Sequence, residues 1–261
     1  DENDRYRYGI FDFGGGTADF GFGIWRGASE EEYDIEGYDY VLECFGADSD
    51  VTLGGENILE LLGYAVFKKN RELARRKRLT CSLPFGEQAF LGSEALISNS
   101  QIAQRNMSIL KEELRPLWHQ EKGWEKKYRH EAAGDSACGR EDLGYEEYID
   151  LNMYDIDGKK QADCRFVIDT EELIALIKAR IQKGIDAFFK CMSKAFQKED
   201  ELAGSAGKMY IFLAGNSSKS VFVKELFEAA IQDYSCGECF EFILKEPLGA
   251  ENTRGQEYVP N

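Results

Sequence analysis

The segment GIFDFGGGTADFGFG, residues 9–23, constrains the fold of this chain more than any other part of its sequence. Residues on both sides of the three glycines predict two β-strands, over residues 6–13 and 18–25, because apolar positions recur there as they do in strands. A third strand is predicted over residues 38–48. Three strands in close succession, joined by short connections, favour an antiparallel meander.

The glycine turn has the composition of an anion-binding loop. Without side chains, Gly14, Gly15 and Gly16 let the backbone turn tightly and let a ligand approach its N–H groups. Successive N–H groups can converge on one anion and form a nest, to which Thr17 adds a hydroxyl donor. No Gly-Lys-Ser/Thr sequence follows, so the segment is not a Walker A loop.

Two aspartates, Asp12 and Asp19, flank this turn. They can hold Mg²⁺ through water, because that ion keeps much of its hydration shell in proteins. Asp19 can also orient a water for attack on a terminal phosphate, a reaction in which positioning and charge stabilisation dominate. The alternative is a glycine-rich hairpin with two solvated aspartates and no ligand.

Helical periodicity dominates the next part of the chain. After a Gly-Gly pair, the apolar spacing predicts one amphipathic helix over residues 56–78 with a basic carboxyl end. A second helix is predicted over residues 93–114, with Pro116 as its stop. Residues 118–145 are charged and weakly periodic, which predicts an irregular insertion.

The rest of the chain alternates strands and helices. Two alternating runs on either side of an Asp-Gly pair, residues 147–153 and 163–168, predict a hairpin. Asp169 or Thr170 caps a long predicted helix that ends near Phe196. The last third is predicted as strand, turn, helix and strand, at residues 209–214, 215–218, 221–231 and 240–244. A strand, a helix and a strand in this order favour a parallel crossover.

The net charge of the chain excludes some classes of binding partner. The formal net charge is −16, from 48 acidic and 32 basic residues, so phosphates are repelled over most of the surface. We therefore expect no nucleic-acid partner, and we interpret the basic run at residues 68–78 as the solvated end of a helix. No apolar run reaches the roughly 20 residues that span a bilayer, and no signal peptide is visible. These features predict a cytoplasmic protein without a membrane partner.

The seven cysteines are scattered, and their number is odd. Reduced thiols are the simplest interpretation for a chain without an export signal. Cys236 and Cys239 form a single Cys-x-x-Cys pair, with no second pair and no histidine pair to complete four zinc ligands. A metal or redox role for that pair is the minor alternative.

The segment FDFGGGTADF resembles the second phosphate-binding hairpin of DnaK-type heat-shock chaperones and, more loosely, that of actin-like proteins. Three further segments resemble chaperone segments in the same order. They are DVTLGGENILELLGYAVF, CRFVIDTEELIALI and FLAGNSSKSVFVKELF, at residues 50–67, 164–177 and 212–227. The resemblance covers nearly the whole chain, and it implies an ATPase that binds ATP or ADP together with Mg²⁺.

The resemblance also implies a role for each matching residue. Asp12 would contact Mg²⁺ through water and Asp19 would position the hydrolytic water, which makes these two and Thr17 the candidate catalytic residues. The residues that would line the phosphates are Gly14, Gly15, Gly16 and Thr17. The residues that would lie near the ribose and the adenine are Gly54, Gly55, Glu56, Gly215, Asn216 and Ser217. Lys111 and Lys219 would take the places of charged family residues at the adenine.

The implied fold is α/β: an RNase H-like lobe of the actin-like ATPase superfamily, with a mixed five-stranded sheet flanked by helices. Residues 1–78 and 164–261 would form this core, and residues 79–163 would form an inserted α+β subdomain. The chain would be one lobe cut from a longer protein, because nothing before Asp1 supplies the family's first phosphate loop. Its partners would be the nucleotide, the missing first lobe and, in the parent, client proteins or co-chaperones.

The adenosine turn departs from the family pattern. It has the sequence Ala-Gly-Asn-Ser-Ser-Lys, where the chaperones have two adjacent glycines and an arginine. Asn216 therefore adds bulk, and Lys219 cannot stack as a planar guanidinium does. An isolated half-site exposes the phosphates to water, which predicts weak nucleotide binding and negligible turnover by this chain alone. Two alternatives stay open: a degenerate actin-like scaffold or filament protein with little hydrolysis, and a sugar or acetate kinase of the same superfold.

Overall fold

The computed structural model describes residues 5–131, 145–197, 207–235, 240–245 and 247. The strands in these residues are β1 Arg5–Phe13, β2 Ala18–Gly27, β3 Tyr40–Asp50, β4 Arg129–Glu131, β5 Tyr145–Tyr154, β6 Lys160–Val167, β7 Gly207–Ala214 and β8 Phe240–Lys245. The α-helices are α1 Glu30–Glu36, α2 Gly55–Lys69, α3 Arg71–Lys77, α4 Gln101–Trp118, α5 Trp124–Tyr128, α6 Thr170–Phe196 and α7 Val221–Ser235. The chain divides into two compact units, Asp1–Gly55 with Arg180–Asn261, and Glu56–Ala179.

A five-stranded sheet in the order β3-β2-β1-β7-β8 forms the first unit. β1, β2 and β3 pair antiparallel, whereas β7 pairs parallel with both β1 and β8. The predicted meander and the predicted parallel crossover are therefore confirmed. The coarse fold class is confirmed as well: an α/β chain with a mixed five-stranded sheet flanked by helices.

Aromatic side chains fill the space between this sheet and its helices. Phe11 on β1 and Phe22 on β2 are fully buried, and each ring centroid lies 4.9 Å from a helix phenylalanine, Phe227 of α7 and Phe188 of α6 respectively. Burying one such side chain contributes roughly 2–3 kcal/mol, so this cluster anchors both helices to the sheet. Among the described helices, none is long and apolar enough to cross a membrane.

The second unit combines a three-stranded sheet, β4-β5-β6, with helices α2 and α4. β5 and β6 form the predicted antiparallel hairpin, and Gly158 in its turn has a φ of 79°, which a glycine adopts without strain. Asn106 of α4 is fully buried and donates from Nδ2 to the carbonyls of Thr80 and Tyr154, both at 2.8 Å. Its Oδ1 accepts from Tyr154 N at 2.9 Å, so one side chain ties α4 to the hairpin.

The prediction of a single helix over residues 56–78 is wrong, because the helix breaks at Asn70 into α2 and α3. The Asn70 amide Nδ2 donates to Val66 O at 2.8 Å and to Val167 O at 2.7 Å. Its Oδ1 accepts from Val167 N at 2.8 Å. A buried side chain that satisfies backbone groups of β6 holds its own backbone out of regular helix.

The predicted limits of the next helix are also wrong, because α4 begins at Gln101 and not at residue 93. The hydroxyl of Ser100 caps the helix by accepting a hydrogen bond from Ala103 N at 3.2 Å. Leu96 lies before the helix in a separate turn, where it is buried and its amide donates to Ser93 O at 2.8 Å. Pro116 does not stop the helix but lies inside its last turn. There the missing N–H removes a single hydrogen bond close to the point where the helix ends.

The region predicted to be irregular, residues 118–145, contains ordered structure in its described part. α5 follows Gly123, whose φ of 83° starts the helix, and β4 continues directly from it. Tyr128 is buried at the end of α5 and donates from its hydroxyl to Glu113 O at 2.7 Å. The expectation for residues 132–144 falls outside the described residues.

The described cysteines carry free thiols. Cys81 and Cys164 are buried in the second unit, and Cys44 and Cys191 are accessible in the first. Burial raises the pKa of Cys81 to about 12, so this thiol stays protonated at neutral pH. The Cys-x-x-Cys pair at residues 236–239 lies outside the described residues.

Candidate functional site

The glycine-rich turn forms a closed loop at the carboxyl end of β1. Gly14 N donates to Thr17 O at 2.9 Å, which fixes the two ends of the loop. Gly15 and Gly16 between them are exposed, whereas Gly14 is half-buried. The tip of the loop is therefore bare backbone facing solvent, the feature that an anion-binding turn requires.

The Gly54-Gly55 pair packs directly against this loop. Gly55 N donates to Gly14 O at 3.1 Å. A Cβ added to Gly54 would overlap the carbonyl oxygen of Gly15 and the backbone of Gly16. Glycine at position 54 is thus required for the two loops to approach each other.

The turn after β7 packs against the glycine loop as well, through Gly215 and Ser217. Gly215 has a φ of 80°, and a Cβ there would overlap Phe13 O and the carboxylate of Asp12. The buried Ser217 donates from its hydroxyl to Gly14 O at 2.9 Å. The Gly14 carbonyl therefore accepts from both neighbouring turns, and the three glycine-containing segments singled out from the sequence meet at one point of the first unit.

The two aspartates lie opposite each other on neighbouring strands. Asp12 of β1 and Asp19 of β2 are paired in the antiparallel register, and both are exposed. Like charges directly opposite on a sheet are destabilising, so a cation between them would be favoured. Thr17 donates from its hydroxyl to Asp19 Oδ2 at 3.0 Å, which orients that carboxylate.

Asp12 and Asp19 suit a metal ion that keeps most of its water ligands when it binds to a protein. The described residues contain no group of three or more His, Cys, Asp or Glu side chains that could hold an ion by themselves. Mg²⁺ needs only one or two carboxylates, because water and phosphate oxygens complete its octahedron. Asp12 and Asp19 therefore fit Mg²⁺ held mainly through water, and they do not fit a zinc or calcium cage.

A polar cluster of Asp50, Thr52 and Arg180 holds the segment that leads into the Gly54-Gly55 pair, and it was not predicted from the sequence. Arg180 of α6 lies 3.0 Å from Asp50 Oδ2 and also donates to Thr52 Oγ1. Thr52 donates to Asp50 Oδ1 from its hydroxyl at 2.7 Å and from its amide at 2.8 Å. Burial alone would raise the pKa of Asp50, but these hydrogen bonds and the guanidinium lower it. No local sequence signal indicates this pairing, because Lys178, Gln182 and Lys183 near Arg180 give it the pattern of an ordinary polar helix face.

In the second unit, Glu56 and Lys111 contact each other. Lys111 Nζ lies 2.8 Å from Glu56 Oε2 and 3.3 Å from Glu60 Oε1, and Arg115 lies 2.9 Å from Glu56 Oε1. Burial opposes the charge on Glu56, but hydrogen bonds from Arg115 and Lys111 lower its pKa. Lys111 is therefore neutralised by two carboxylates. Arg115, four residues further along α4, is a second cation that sequence reasoning did not select.

Three of the adenosine-side candidates, Gly215, Asn216 and Lys219, line a depression of about 580 Å³ in the first unit. Lys245 and Pro247 also line it. Asn216 and Lys219 are exposed, and both belong to a short 3-10 turn and its cap. Gly215 belongs both to the lining of this depression and to the contacts around the glycine loop, through Phe13 O and Asp12.

No protein-family model matches the chain, and no curated protein matches it. What the geometry defines is a mixed α/β protein with a bare glycine loop at the carboxyl end of a central strand. In such sheets ligands bind beyond the carboxyl ends of the strands.

Proposed function

We propose that this chain is one lobe of an actin-like, DnaK-type nucleotide-binding domain with an RNase H-like core. The lobe binds the phosphates of ATP or ADP at residues 14–17. The observation that carries the proposal is the convergence of three glycine-containing turns on the Gly14 carbonyl, through Gly55 N and Ser217 Oγ. The strand order and pairing directions agree with the mixed five-stranded sheet that the resemblance implies.

The backbone amides and the side chains of this loop have different roles in the proposed site. The amides of the exposed glycines bind phosphate oxygens, and Asp12 holds Mg²⁺ through water. Asp19, oriented by Thr17, accepts a hydrogen bond from the attacking water. The ion would supply neutralisation of phosphate charge, which dominates catalysis of phosphoryl transfer. The chain alone supplies one side of the cleft, so it binds nucleotide weakly and hydrolyses it negligibly.

The test is a titration of the ¹⁵N-labelled chain with ADP and Mg²⁺, followed by amide chemical shifts. We expect shifts at residues 14–17, 54–55 and 215–217, and their loss in Gly15→Val, whose side chain blocks the loop tip. Gly21→Val is the matched control, because a Cβ on Gly21 meets no atom within 4 Å. If Gly15→Val and wild type respond identically, the proposed phosphate site is wrong.

One observation favours a second function, a non-hydrolysing actin-like scaffold. Lys111, the expected contact of the adenine, is held by Glu56 and Glu60, and Asn216 occupies the turn that the family leaves bare. The variant Asp19→Asn in the full-length parent separates the two functions. A real ATPase loses turnover and keeps nucleotide binding, whereas a scaffold shows no turnover to lose.

A further inference from the structure

The free edge of the five-stranded sheet is β3, the longest strand of the described residues. Within those residues β3 pairs with β2 alone, so the backbone groups on its outer side have no strand partner. Proteins usually protect such an edge with proline, lysine or a β-bulge. The sequence YVLECFGADSD contains neither proline nor lysine, and its pairing with β2 shifts register once, between Phe22 and Gly23. The edge is therefore a ready template for another extended segment.

Large apolar side chains are concentrated beside this edge. Ile35 is 72% exposed, Leu42 is 68% exposed, and α1 buries none of its side chains. The exposed large apolar residues of this surface are Tyr33, Ile35, Tyr38, Tyr40, Leu42, Phe45 and Val51. Scattered exposed apolar residues are normal, but a concentration along one strand and its neighbouring helix marks an interaction surface.

The charge of the same surface identifies the kind of partner. The chain has no lysine or arginine between Arg26 and Lys68, yet residues 28–50 contain nine acidic residues. Arg26 pairs with Glu32 and Glu43. The acidic residues of this surface that have no ion pair within the described residues, all of them exposed, are Glu30, Glu31, Asp34, Glu36, Asp39 and Asp48.

A depression of about 440 Å³ lies between α1 and the segment that leads into β3. Its lining residues include three acidic ones, Glu30, Asp34 and Asp39, and the tyrosines Tyr33 and Tyr38. Carboxylates and tyrosine rings both attract a guanidinium or an ammonium group, the rings through cation–π contact.

We propose that β3 and the adjoining α1 surface bind a basic, extended polypeptide segment, which adds a strand to the sheet and places a lysine or arginine in this depression. A second copy of this chain is disfavoured as the occupant, because it would bring the same uncompensated acidic residues to the edge. The inference does not depend on the proposed nucleotide site, whose loops lie at the carboxyl end of β1.

The test uses three blocked octapeptides of alternating composition: lysine–valine, glutamate–valine and lysine–glycine. Binding to the full chain is measured by calorimetry, and hydrogen exchange follows the β3 amides. We expect the lysine–valine peptide alone to bind, with protection confined to β3, and to bind several-fold more weakly when salt shortens the Debye length from about 10 to about 3 Å. Equal binding of lysine–glycine, or no protection of β3, overturns strand addition.

Charge reversal supplies the matched variants. Glu30→Lys, Asp34→Lys and Asp39→Lys, all at residues that line the depression, together should weaken lysine–valine binding roughly tenfold, because each exposed pair is worth a few tenths to 1 kcal/mol. The control carries Glu87→Lys, Glu94→Lys and Glu121→Lys, which changes net charge equally in the second unit. A loss as large in the control contradicts a local site, and a dimeric wild-type chain in sedimentation points to a second copy as the occupant.

Discussion

Replacing Gly54 by alanine perturbs the contact on which the candidate site is built. The added Cβ would overlap the Gly15 carbonyl and the Gly16 backbone. These are main-chain atoms, which cannot rotate aside as a flexible side chain can. The glycine loop must therefore move away from residues 54–55, and the hydrogen bond from Gly55 N to Gly14 O lies in the gap that opens.

The expected loss in the free energy of unfolding follows from that one hydrogen bond. Losing a hydrogen bond while its donor stays out of water costs about 1–3 kcal/mol. Alanine also restricts the unfolded chain, which stabilises by about 0.4–1 kcal/mol wherever the native φ suits it. Gly54 does not have a positive φ, so this gain applies. The net prediction is a loss of about 1–2 kcal/mol.

Gly16→Ala is the matched control in the same loop. A Cβ at Gly16 meets no atom within 4 Å, and its φ is not positive, so only the unfolded-state term acts. Urea unfolding followed by circular dichroism should show a lower midpoint for Gly54→Ala and an equal or slightly higher midpoint for Gly16→Ala, with unchanged slopes. If Gly16→Ala is the more damaging substitution, the described packing of the two loops is wrong.

Two further predictions concern residues that hold the scaffold. Asn106→Ala removes three hydrogen bonds of a buried side chain and should lower the free energy of unfolding in urea by about 3 kcal/mol, whereas Ser108→Ala on the same helix should change it by no more than about 0.5 kcal/mol. Equal losses in the two variants contradict the bridging role. Asp50 has a folded pKa below its ordinary 3.8, so its stabilising contribution is present above that pH and is lost as pH falls through the folded pKa. Asp50→Asn should therefore reduce the wild-type difference in urea midpoint between neutral and acid pH, and an unchanged difference contradicts the Arg180 pairing.

The fold was predictable where the signals are local. The glycine turn between two alternating runs, the Asp-Gly hairpin and the Asp169 cap of α6 each depend on residues close in sequence. Asp169 Oδ1 accepts from Glu172 N at 2.9 Å, as a helix cap does. These three features appear correctly in the sequence pattern, whereas the capped starts of α1 at Ser29 and of α4 at Ser100 were not predicted, although their signals are equally local.

Other errors occur where contacts with residues distant in sequence determine the local structure. Asn70 breaks a helix that its apolar spacing predicts, because its amide bonds to Val167, far along the chain. Arg180 supports the loop at Asp50 across a similarly long separation. Neither pairing leaves a mark at its own position in the sequence, because any arginine or asparagine on a helix has the same local pattern.

The glycines of the site serve two different purposes, and only the structure separates them. Gly54 and Gly215 are required because backbone atoms occupy the space where a Cβ would stand. Gly15 and Gly16 are exposed, and at Gly16 that space is empty. A ligand can therefore approach only from the loop tip, since the opposite side is closed by packing. Substitutions at Gly54 report on assembly of the turns, whereas those at Gly15 report on access to the amides.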